Sequence, residues 1–316
     1  VDYDNSWWIA TSNGLLRYQE ENQSLRHFYS INDEEKSLPD NNVRCMYKVD
    51  DSRIFIGTSK GLCLLDIEKK ELQRINLDLI TNTQSPNLDI SKIIAFSDEE
   101  IMIGTYTDGL YVYNHKKGTA SHISKFDRRN AISDNYIYDV FKDENGSIWV
   151  ATYTGLNRFE NNLANFSTIS VFINGSVLSI NYFIEMDTNN ILVGTESGIK
   201  VFNIEDESIV DFKTFFKSKK NYFETLYIYS FYLDKDNSLW VGTRNDGLFI
   251  YDIDNDNVIN VADKYKIDAL RHAVVREMVR DENDNMWIAT NLGLCCINLR
   301  DGSHVFYNND RKDNKT

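Results

Sequence analysis

The sequence predicts an all-β protein, a seven-bladed β-propeller made of four-stranded antiparallel blades. One short motif recurs seven times. Each copy ends in a Gly followed by Leu or Ile, which we call the second glycine of the motif. Successive second glycines are 43 to 49 residues apart. This interval is close to the length of a four-stranded propeller blade. Four of the five tryptophans occupy the same position of the motif, so the largest apolar side chains are spread through the chain at about one per repeat.

The motif consists of a large apolar residue, an aliphatic residue, Gly or Ala, and Thr, followed after two or three intervening residues by Gly-Leu or Gly-Ile. Its seven copies reach their second glycine at Gly14, Gly61, Gly109, Gly155, Gly198, Gly247 and Gly293. Blades 3 and 5 carry Met102 and Leu192 where four other blades carry Trp. These departures leave the period unchanged.

Each motif residue has a predicted task. The large apolar side chain is expected to fill the space between neighbouring blades, because a buried Trp removes roughly 150–250 Å² from water. The Gly or Ala two residues later leaves room where adjacent sheets approach closely. The Thr hydroxyl is expected to bond into the following turn, and the second Gly to take a positive φ there.

Acidic clusters precede the motif at a fixed distance, as in Asp143-Glu144-Asn145-Gly146, and are interpreted as hairpin turns. None has the twelve-residue ligand spacing of a calcium loop. The four strands of blade 4, labelled A to D, are predicted at 136–142, 147–152, 155–160 and 166–172. Blade 1 is predicted to lack its innermost strand A, because the chain begins at the Asp2 turn. We therefore expect residues 1–316 to form a single propeller domain of a larger protein.

Composition argues against several classes of partner. With 48 acidic and 34 basic side chains the formal charge is −14, which repels nucleic acid and anionic lipid at long range. No apolar run approaches the roughly 18 residues of a membrane span, so no direct membrane contact is expected. Cys45, Cys63, Cys295 and Cys296 are interpreted as free thiols that pack as small apolar groups.

No catalytic or metal-binding pattern stands out, and no cofactor is predicted. The five histidines are interpreted as falling at different places within their repeats, and only His272 lies where it could approach the axis. Neither a nucleophile elbow nor a phosphate-binding loop is present. Carboxylates are numerous enough to conceal a glycosidase pair, so a polysaccharide-active enzyme stays open as an alternative.

The turns between strands B and C carry the side chains that best suit a ligand. The candidate binding residues are Tyr106, Tyr153, Arg244, Asn245, Asn13 and Glu196. Lys60, Asp108 and Asn291 lie in the same turns. Aromatic rings cover the apolar face of a sugar, and amides and charged groups bond its hydroxyls. Exposed turns are polar in any propeller, however, so a purely structural interpretation also stands, as does a protein-interaction scaffold.

The connection 215–223 combines aromatic residues with Lys217, Lys219 and Lys220. Two interpretations are open: a rim for a ligand or another domain, and a packed loop.

The repeat Trp-Ile-Ala-Thr-x-x-Gly-Leu, preceded by an acidic turn, resembles the two-component regulator propeller repeat. The segments 39–43 and 133–137 resemble the part of that repeat that leads into strand A. The resemblance implies a noncatalytic, periplasmic sensor domain of a hybrid two-component system histidine kinase/response regulator that senses a polysaccharide-derived oligosaccharide. It also implies neighbouring propeller or β-sandwich domains in the same chain and a possible homodimer.

Overall fold

The structure, a computed structural model, is a seven-bladed β-propeller of four-stranded antiparallel sheets. It describes residues 2–3, 6–19, 24–31, 36–83, 85, 88–127, 131–160, 165–169, 172–173, 176–177 and 179–307. The chain divides into two compact units, residues 1–170 with blades 1 to 4 and residues 171–316 with blades 5 to 7. The predicted fold class is confirmed.

Blades 1 to 4 pair their strands in sequence order. Their strands are β1 (Asp2–Tyr3), β2 (Ser6–Thr11), β3 (Gly14–Gln19), β4 (Ser24–Phe28), β5 (Val43–Lys48), β6 (Arg53–Thr58), β7 (Gly61–Asp66), β8 (Glu71–Ile75), β9 (Ile90–Ala95), β10 (Glu100–Thr105), β11 (Leu110–Asn114), β12 (Thr119–Ile123), β13 (Ile137–Lys142), β14 (Ile148–Thr152), β15 (Gly155–Glu160) and β16 (Asn165–Ile169). In blade 1, among the described residues, the innermost position is occupied by the two residues of β1, which pair with Trp7 and Ser6.

Blades 5 to 7 follow the same order after a short hairpin. Their strands are β17 (Phe172–Ile173), β18 (Ser176–Val177), β19 (Ile180–Asp187), β20 (Asn190–Thr195), β21 (Gly198–Asn203), β22 (Ile209–Asp211), β23 (Ile228–Leu233), β24 (Ser238–Thr243), β25 (Leu248–Asp252), β26 (Asn257–Asn260), β27 (Val275–Arg280), β28 (Asn285–Thr290), β29 (Gly293–Asn298) and β30 (His304–Tyr307). The strands that the sequence predicts for blade 4 agree within a few residues with the bounds of β13 to β16.

Short helices lie in the connections between blades: α1 (Leu77–Thr81), α2 (Phe212–Phe215), α3 (Val261–Tyr265) and a 3₁₀ turn (Asp268–Leu270). Over the described part of the chain, no helix has the length and apolar character needed to cross a membrane.

The core consists of apolar layers between adjacent blades of one unit. Between blades 6 and 7, Trp240 is 3% exposed and packs with Val275 and Met278. The equivalent residue of blade 3, Met102, packs against Ile137 of blade 4. The motif therefore supplies the inter-blade contact that the sequence predicts.

The small residue of the motif allows that close packing. A Cβ added to Gly104 would lie 2.9 Å from a methyl group of Ile137, and one added to Gly242 would lie 2.8 Å from a methyl group of Val275. All seven second glycines of the motif have positive φ, as predicted.

The acidic turns support the motif tryptophans. Asp143 accepts a hydrogen bond from the Trp149 indole nitrogen at 2.8 Å and another from the Ser147 amide, also at 2.8 Å. Asp281 accepts the Trp287 indole proton at 2.9 Å. These contacts confirm the prediction of turn chemistry.

The four cysteines are free thiols. Cys63 and Cys295 are buried in the core, as expected, whereas Cys45 and Cys296 are partly exposed.

Candidate functional site

The B–C end of a blade, defined as the end that carries the turn between its second and third strands, has one hydrogen-bonded framework in every repeat. In all seven blades the motif Thr hydroxyl donates to the carbonyl of the second motif Gly at 2.7–2.9 Å. In blades 2, 3, 4, 6 and 7 the amide after this Thr donates, at 2.8–3.1 Å, to the carbonyl of the residue that precedes strand A. The framework fixes two side-chain positions per blade, one in the turn and one before strand A.

A third position comes from a β-bulge that sequence reasoning missed. In blades 2 to 7 the pairing of strand A with strand B shifts by one residue near the start of strand A. The extra residues are Arg44, Ser91, Tyr138, Asn181, Tyr229 and Arg276. Because a bulge changes the direction of a side chain and leaves its residue outside the strand pairing, each of these six blades offers one more side chain at its B–C end.

In the first unit these positions bring four tyrosines together. Tyr106 and Tyr153 follow the motif Thr of blades 3 and 4, and Tyr136 lies between them, with ring centroids 5.2 Å from Tyr106 and 6.4 Å from Tyr153. The bulge residue Tyr138 lies 4.9 Å from Tyr136. We call Tyr106, Tyr136, Tyr138 and Tyr153 the tyrosine cluster. Two of its rings are exposed, Tyr153 at 58% and Tyr136 at 39%, and the other two are partly buried.

An ion pair borders the tyrosine cluster. Arg44, the bulge residue of blade 2, donates to Asp89 through Nε at 3.0 Å and through Nη2 at 2.9 Å. Its guanidinium also lies over the Tyr106 ring, 5.4 Å from the centroid. The bidentate pair neutralises the arginine and fixes its plane against the ring.

Burial raises the pKa of Tyr106 to about 12, although the Arg44 charge acts in the opposite direction. The Tyr106 hydroxyl is therefore protonated at neutral pH and able to donate a hydrogen bond. The ring itself is half-buried among Tyr136, Tyr138 and Arg44. Tyr153 is consequently the more accessible of the two predicted tyrosines.

The second unit has a related group with a different charge. Arg244, in the blade 6 turn, lies 4.9 Å from the ring centroid of Tyr227, which precedes strand β23. Tyr227 and the bulge residue Tyr229 pack edge to face at 5.3 Å. Arg276, the bulge residue of blade 7, lies 5.9 Å from the Tyr229 centroid. We call Arg244, Arg276, Tyr227 and Tyr229 the arginine cluster.

Three other predicted residues are exposed in their turns, Asn13 in blade 1, Asn245 in blade 6 and Glu196 in blade 5. Within the described residues, their side chains make no ring contact and no ion pair with either cluster. The predicted set is thus divided. Tyr106, Tyr153 and Arg244 belong to organised groups, and the other three stand apart from them.

Further polar turn residues are engaged within the fold. Lys60 pairs with Asp40 at 3.0 Å, and the Tyr111 hydroxyl donates to the carboxylate of Asp108. Asn291 accepts the Val274 amide proton at 2.8 Å through its side chain. For Lys60, Asp108 and Asn291, the structure therefore supports the purely structural interpretation of the polar turn residues.

Two of the five histidines occupy equivalent positions, which corrects the expectation that all five differ. His27 in β4 and His122 in β12 each pair with the residue two positions after the motif Gly of their blade, Leu16 or Tyr111. Each ring nitrogen Nε2 lies 2.5 Å from a turn carbonyl, that of Asn13 or that of Asp108. Both rings therefore brace a B–C turn, and His272 is exposed.

The aromatic connection 215–223 is a packed loop. Phe223 is 1% exposed and packs edge to face on Phe212 at 5.1 Å. Ser218 and the Lys219 amide both bond to the Asp256 carboxylate, at 2.7 and 2.9 Å. Of the two open interpretations, the structure supports the packed loop.

A cleft of about 540 Å³ lies at the opposite, A–B end of blades 6 and 7. Arg280 crosses it and binds Asp234 at 2.5 Å and Asp284 at 2.7 Å. Asp284 also accepts from Arg300 at 2.8 Å. Hydrogen bonds from Arg280 and Arg300 lower the pKa of Asp284 to about 2. These charges are paired with one another, so the cleft is lined by a structural ion-pair network.

The blades share one hydrogen-bonded framework and differ in their turn residues, which is typical of a propeller built from sequence repeats. The family model of the two-component regulator propeller matches residues 37–60, 131–154 and 222–245. These three segments of the chain therefore resemble the repeat that the sequence indicates. Each matched segment ends in a B–C turn, at Lys60, Thr154 or Asn245.

Two known proteins similar to this chain have names that refer to two-component signalling. "Histidine kinase P4" of Formosa agariphila is 25% identical over 311 residues, which make up 95% of this chain and 21% of that protein. The extracellular domain of BT4673 from B. thetaiotaomicron, described as a hybrid two component system, superposes with a TM-score of 0.74 in one crystal structure. The identity is 21%, and the match covers 94% of this chain and 37% of that one. The chain thus spans about a fifth of the curated relative.

The fold alone is shared more widely. PorZ, a surface component of the type-IX secretion system of Porphyromonas gingivalis, superposes with a TM-score of 0.63 at 13% identity, covering 96% of this chain and 52% of that one. Propellers carry unrelated functions, so the function must be argued from the side chains at the B–C ends.

Proposed function

We propose that this propeller is the extracytoplasmic sensor domain of a hybrid two-component signalling protein and that it binds an oligosaccharide at the tyrosine cluster. The matched repeats and the names of the similar proteins support the sensor role. A histidine kinase elsewhere in the full-length protein and a periplasmic location are parts of the same proposal.

The tyrosine cluster is the observation that carries the ligand class. Sugar rings present C–H groups on their faces and hydroxyls around their edges, so they favour a surface of flat rings with polar tips. Tyr136 and Tyr153 offer exposed rings, and Tyr106 offers a protonated hydroxyl beside them. The Arg44–Asp89 pair holds polar atoms fixed at the border of the cluster. This arrangement suits a neutral pyranose.

The ring positions are set before any ligand arrives. The amides of Tyr106 and Tyr153 are both bonded to neighbouring carbonyls, at 2.8 and 3.1 Å, and Tyr106 is packed against Arg44. A rigid aromatic surface loses little entropy on binding. We expect the oligosaccharide to be bound and not cleaved, because the tyrosine cluster contains no pair of carboxylates that could act on a glycosidic bond.

The test is calorimetric titration of the 316-residue chain with a panel of neutral oligosaccharides, followed by Tyr153→Ala. We expect the substitution to weaken binding about tenfold, since one stacked ring contributes on the order of 1–1.5 kcal/mol. The melting temperature should change little, because the ring is 58% exposed.

Tyr29→Ala is the matched control, since Tyr29 is 55% exposed and follows the outermost strand of blade 1. If Tyr153→Ala binds with unaltered affinity, the cluster is not the site. If no saccharide binds but a protein partner does, the propeller is an interaction scaffold, and if a saccharide is cleaved, it is an enzyme.

A further inference from the structure

The arginine cluster differs from the tyrosine cluster in one respect that concerns charge. Arg44 is neutralised by Asp89, whereas Arg244 and Arg276 contact aromatic rings and form no ion pair within the described residues. An exposed guanidinium on a ring retains its hydrogen-bond donors for another group.

The positions of both arginines are fixed by the fold. The Arg244 amide donates to the Tyr227 carbonyl at 2.9 Å, and the Tyr227 hydroxyl donates to the side chain of Asn181 at 3.3 Å. Arg276 occupies the bulge of strand β27. The two guanidiniums thus stand on a fixed pair of rings, Tyr227 and Tyr229, which are 5.3 Å apart.

Two acidic residues lie close in sequence. Glu277 follows Arg276, and its carboxylate accepts the Tyr182 hydroxyl at 3.1 Å. Asp246 ends the blade 6 turn, where its amide bonds to Thr243 at 2.9 Å. Asp246 forms no ion pair with Arg244 or Arg276 among the described residues.

We propose that Arg244 and Arg276 form an anion-binding site of their own on blades 6 and 7 and that this site takes a saccharide that carries an oxyanion, either a carboxylate or a sulfate ester. The proposal rests on the proposed function in taking the ligand to be a saccharide. Guanidinium groups bind planar and tetrahedral oxyanions by charge-assisted hydrogen bonds. In a chain with a formal charge of −14, long-range repulsion opposes an anionic ligand, so local cations are needed to hold it.

The experiment compares three ligand sets of equal length on the 316-residue chain: neutral galacto-oligosaccharides, oligogalacturonides and sulfated galactan oligosaccharides. We expect one anionic set to bind at least about tenfold tighter than the neutral set. That advantage should decline as salt is raised from 50 to about 500 mM, because screening weakens exposed charge pairs. The tighter of the two anionic sets identifies the oxyanion.

The double variant Arg244→Gln, Arg276→Gln should abolish the anionic advantage and leave neutral binding unchanged. Arg26→Gln is the matched control, because Arg26 also stacks on a ring, that of Phe28 at 4.9 Å, and loses the same charge in blade 1. Circular dichroism melting confirms that each variant is folded.

The inference is overturned if neutral and anionic sets bind equally, or if the double variant retains the anionic advantage. In either case neutral binding that remains sensitive to Tyr153→Ala leaves the proposed function intact. Absence of binding to all three sets removes both proposals. Binding of a poly-glutamate peptide in preference to every saccharide also overturns the inference, because the cluster then recognises acidic protein.

Discussion

The tyrosine cluster and the arginine cluster are built at the same three positions of the repeat but differ in charge. In both, a turn residue after the motif Thr contacts the residue before strand A: Tyr153 meets Tyr136, and Arg244 meets Tyr227. A bulge residue completes each, Tyr138 or Tyr229. The backbone framework is therefore common, and side-chain choice at three positions determines what each region can bind.

The same contrast extends to the A–B ends. Arg280 and Lys142 are both the last residues of strand A, and both reach the preceding blade. Lys142 donates to the Phe96 carbonyl at 3.3 Å, whereas Arg280 joins two carboxylates. At this position of strand A, blade 7 of the second unit therefore has an ion-pair network where blade 4 of the first unit has a hydrogen bond to a carbonyl.

The largest expected effect comes from removing the apolar support beneath each cluster. Trp240→Ala should cost about 3–5 kcal/mol of unfolding free energy, and Met102→Ala at the equivalent position should cost less, about 2–4 kcal/mol, because less buried surface is lost. Urea unfolding followed by circular dichroism measures both. A loss below about 1 kcal/mol for Trp240→Ala would show that this ring does not anchor the two blades.

The framework was predictable because its signals are local. The seven glycines, the Thr that closes each turn, and the acidic residues under the tryptophans lie within a few residues of one another in sequence, so composition and spacing identify them. Tyr106, Tyr153 and Arg244 were also found, since they follow the motif Thr directly.

The partners of these residues were not predictable in the same way. A bulge adds one residue to strand A, and an alternating pattern does not reveal that Tyr138 or Arg276 is the extra one. Arg44 and Asp89 are 45 residues apart in the sequence, so no local pattern predicts their ion pair. For the same reason, the sequence does not distinguish an arginine that is neutralised by a carboxylate from one that forms no ion pair.

An intermediate effect is expected from acid, which should weaken the second unit's ion network. Hydrogen bonds from Arg280 and Arg300 hold the pKa of Asp284 at about 2, below the ordinary aspartate value of 3.8. A depressed folded-state pKa adds stability above the unfolded pKa, and this contribution is lost as pH falls from about 4 to 2. Asp284→Asn should therefore lower the melting temperature at pH 7 but not at pH 2.

Glu282→Gln is the control for that measurement, because Glu282 is exposed in the same turn. The wild-type and Asp284→Asn melting curves are compared at several pH values between 2 and 7. A difference that stays constant over this range would mean that Asp284 acts through packing or hydrogen bonding rather than through its charge.

The smallest expected effect comes from Asp89→Asn, which converts the tyrosine cluster toward the charge state of the arginine cluster. The substitution releases the Arg44 guanidinium, whose side chain is 30% exposed and already lies over Tyr106. In a background with Arg244→Gln and Arg276→Gln, we expect affinity for the tighter anionic oligosaccharide to rise about threefold, as one partly exposed charge pair is exchanged for another.

Asp40→Asn is the matched control, because it releases Lys60 from a 3.0 Å pair without placing a guanidinium on a ring. If both substitutions raise the affinity equally, net charge alone accounts for the gain. If only Asp89→Asn does, an unpaired arginine stacked on tyrosine is the feature that distinguishes the two regions.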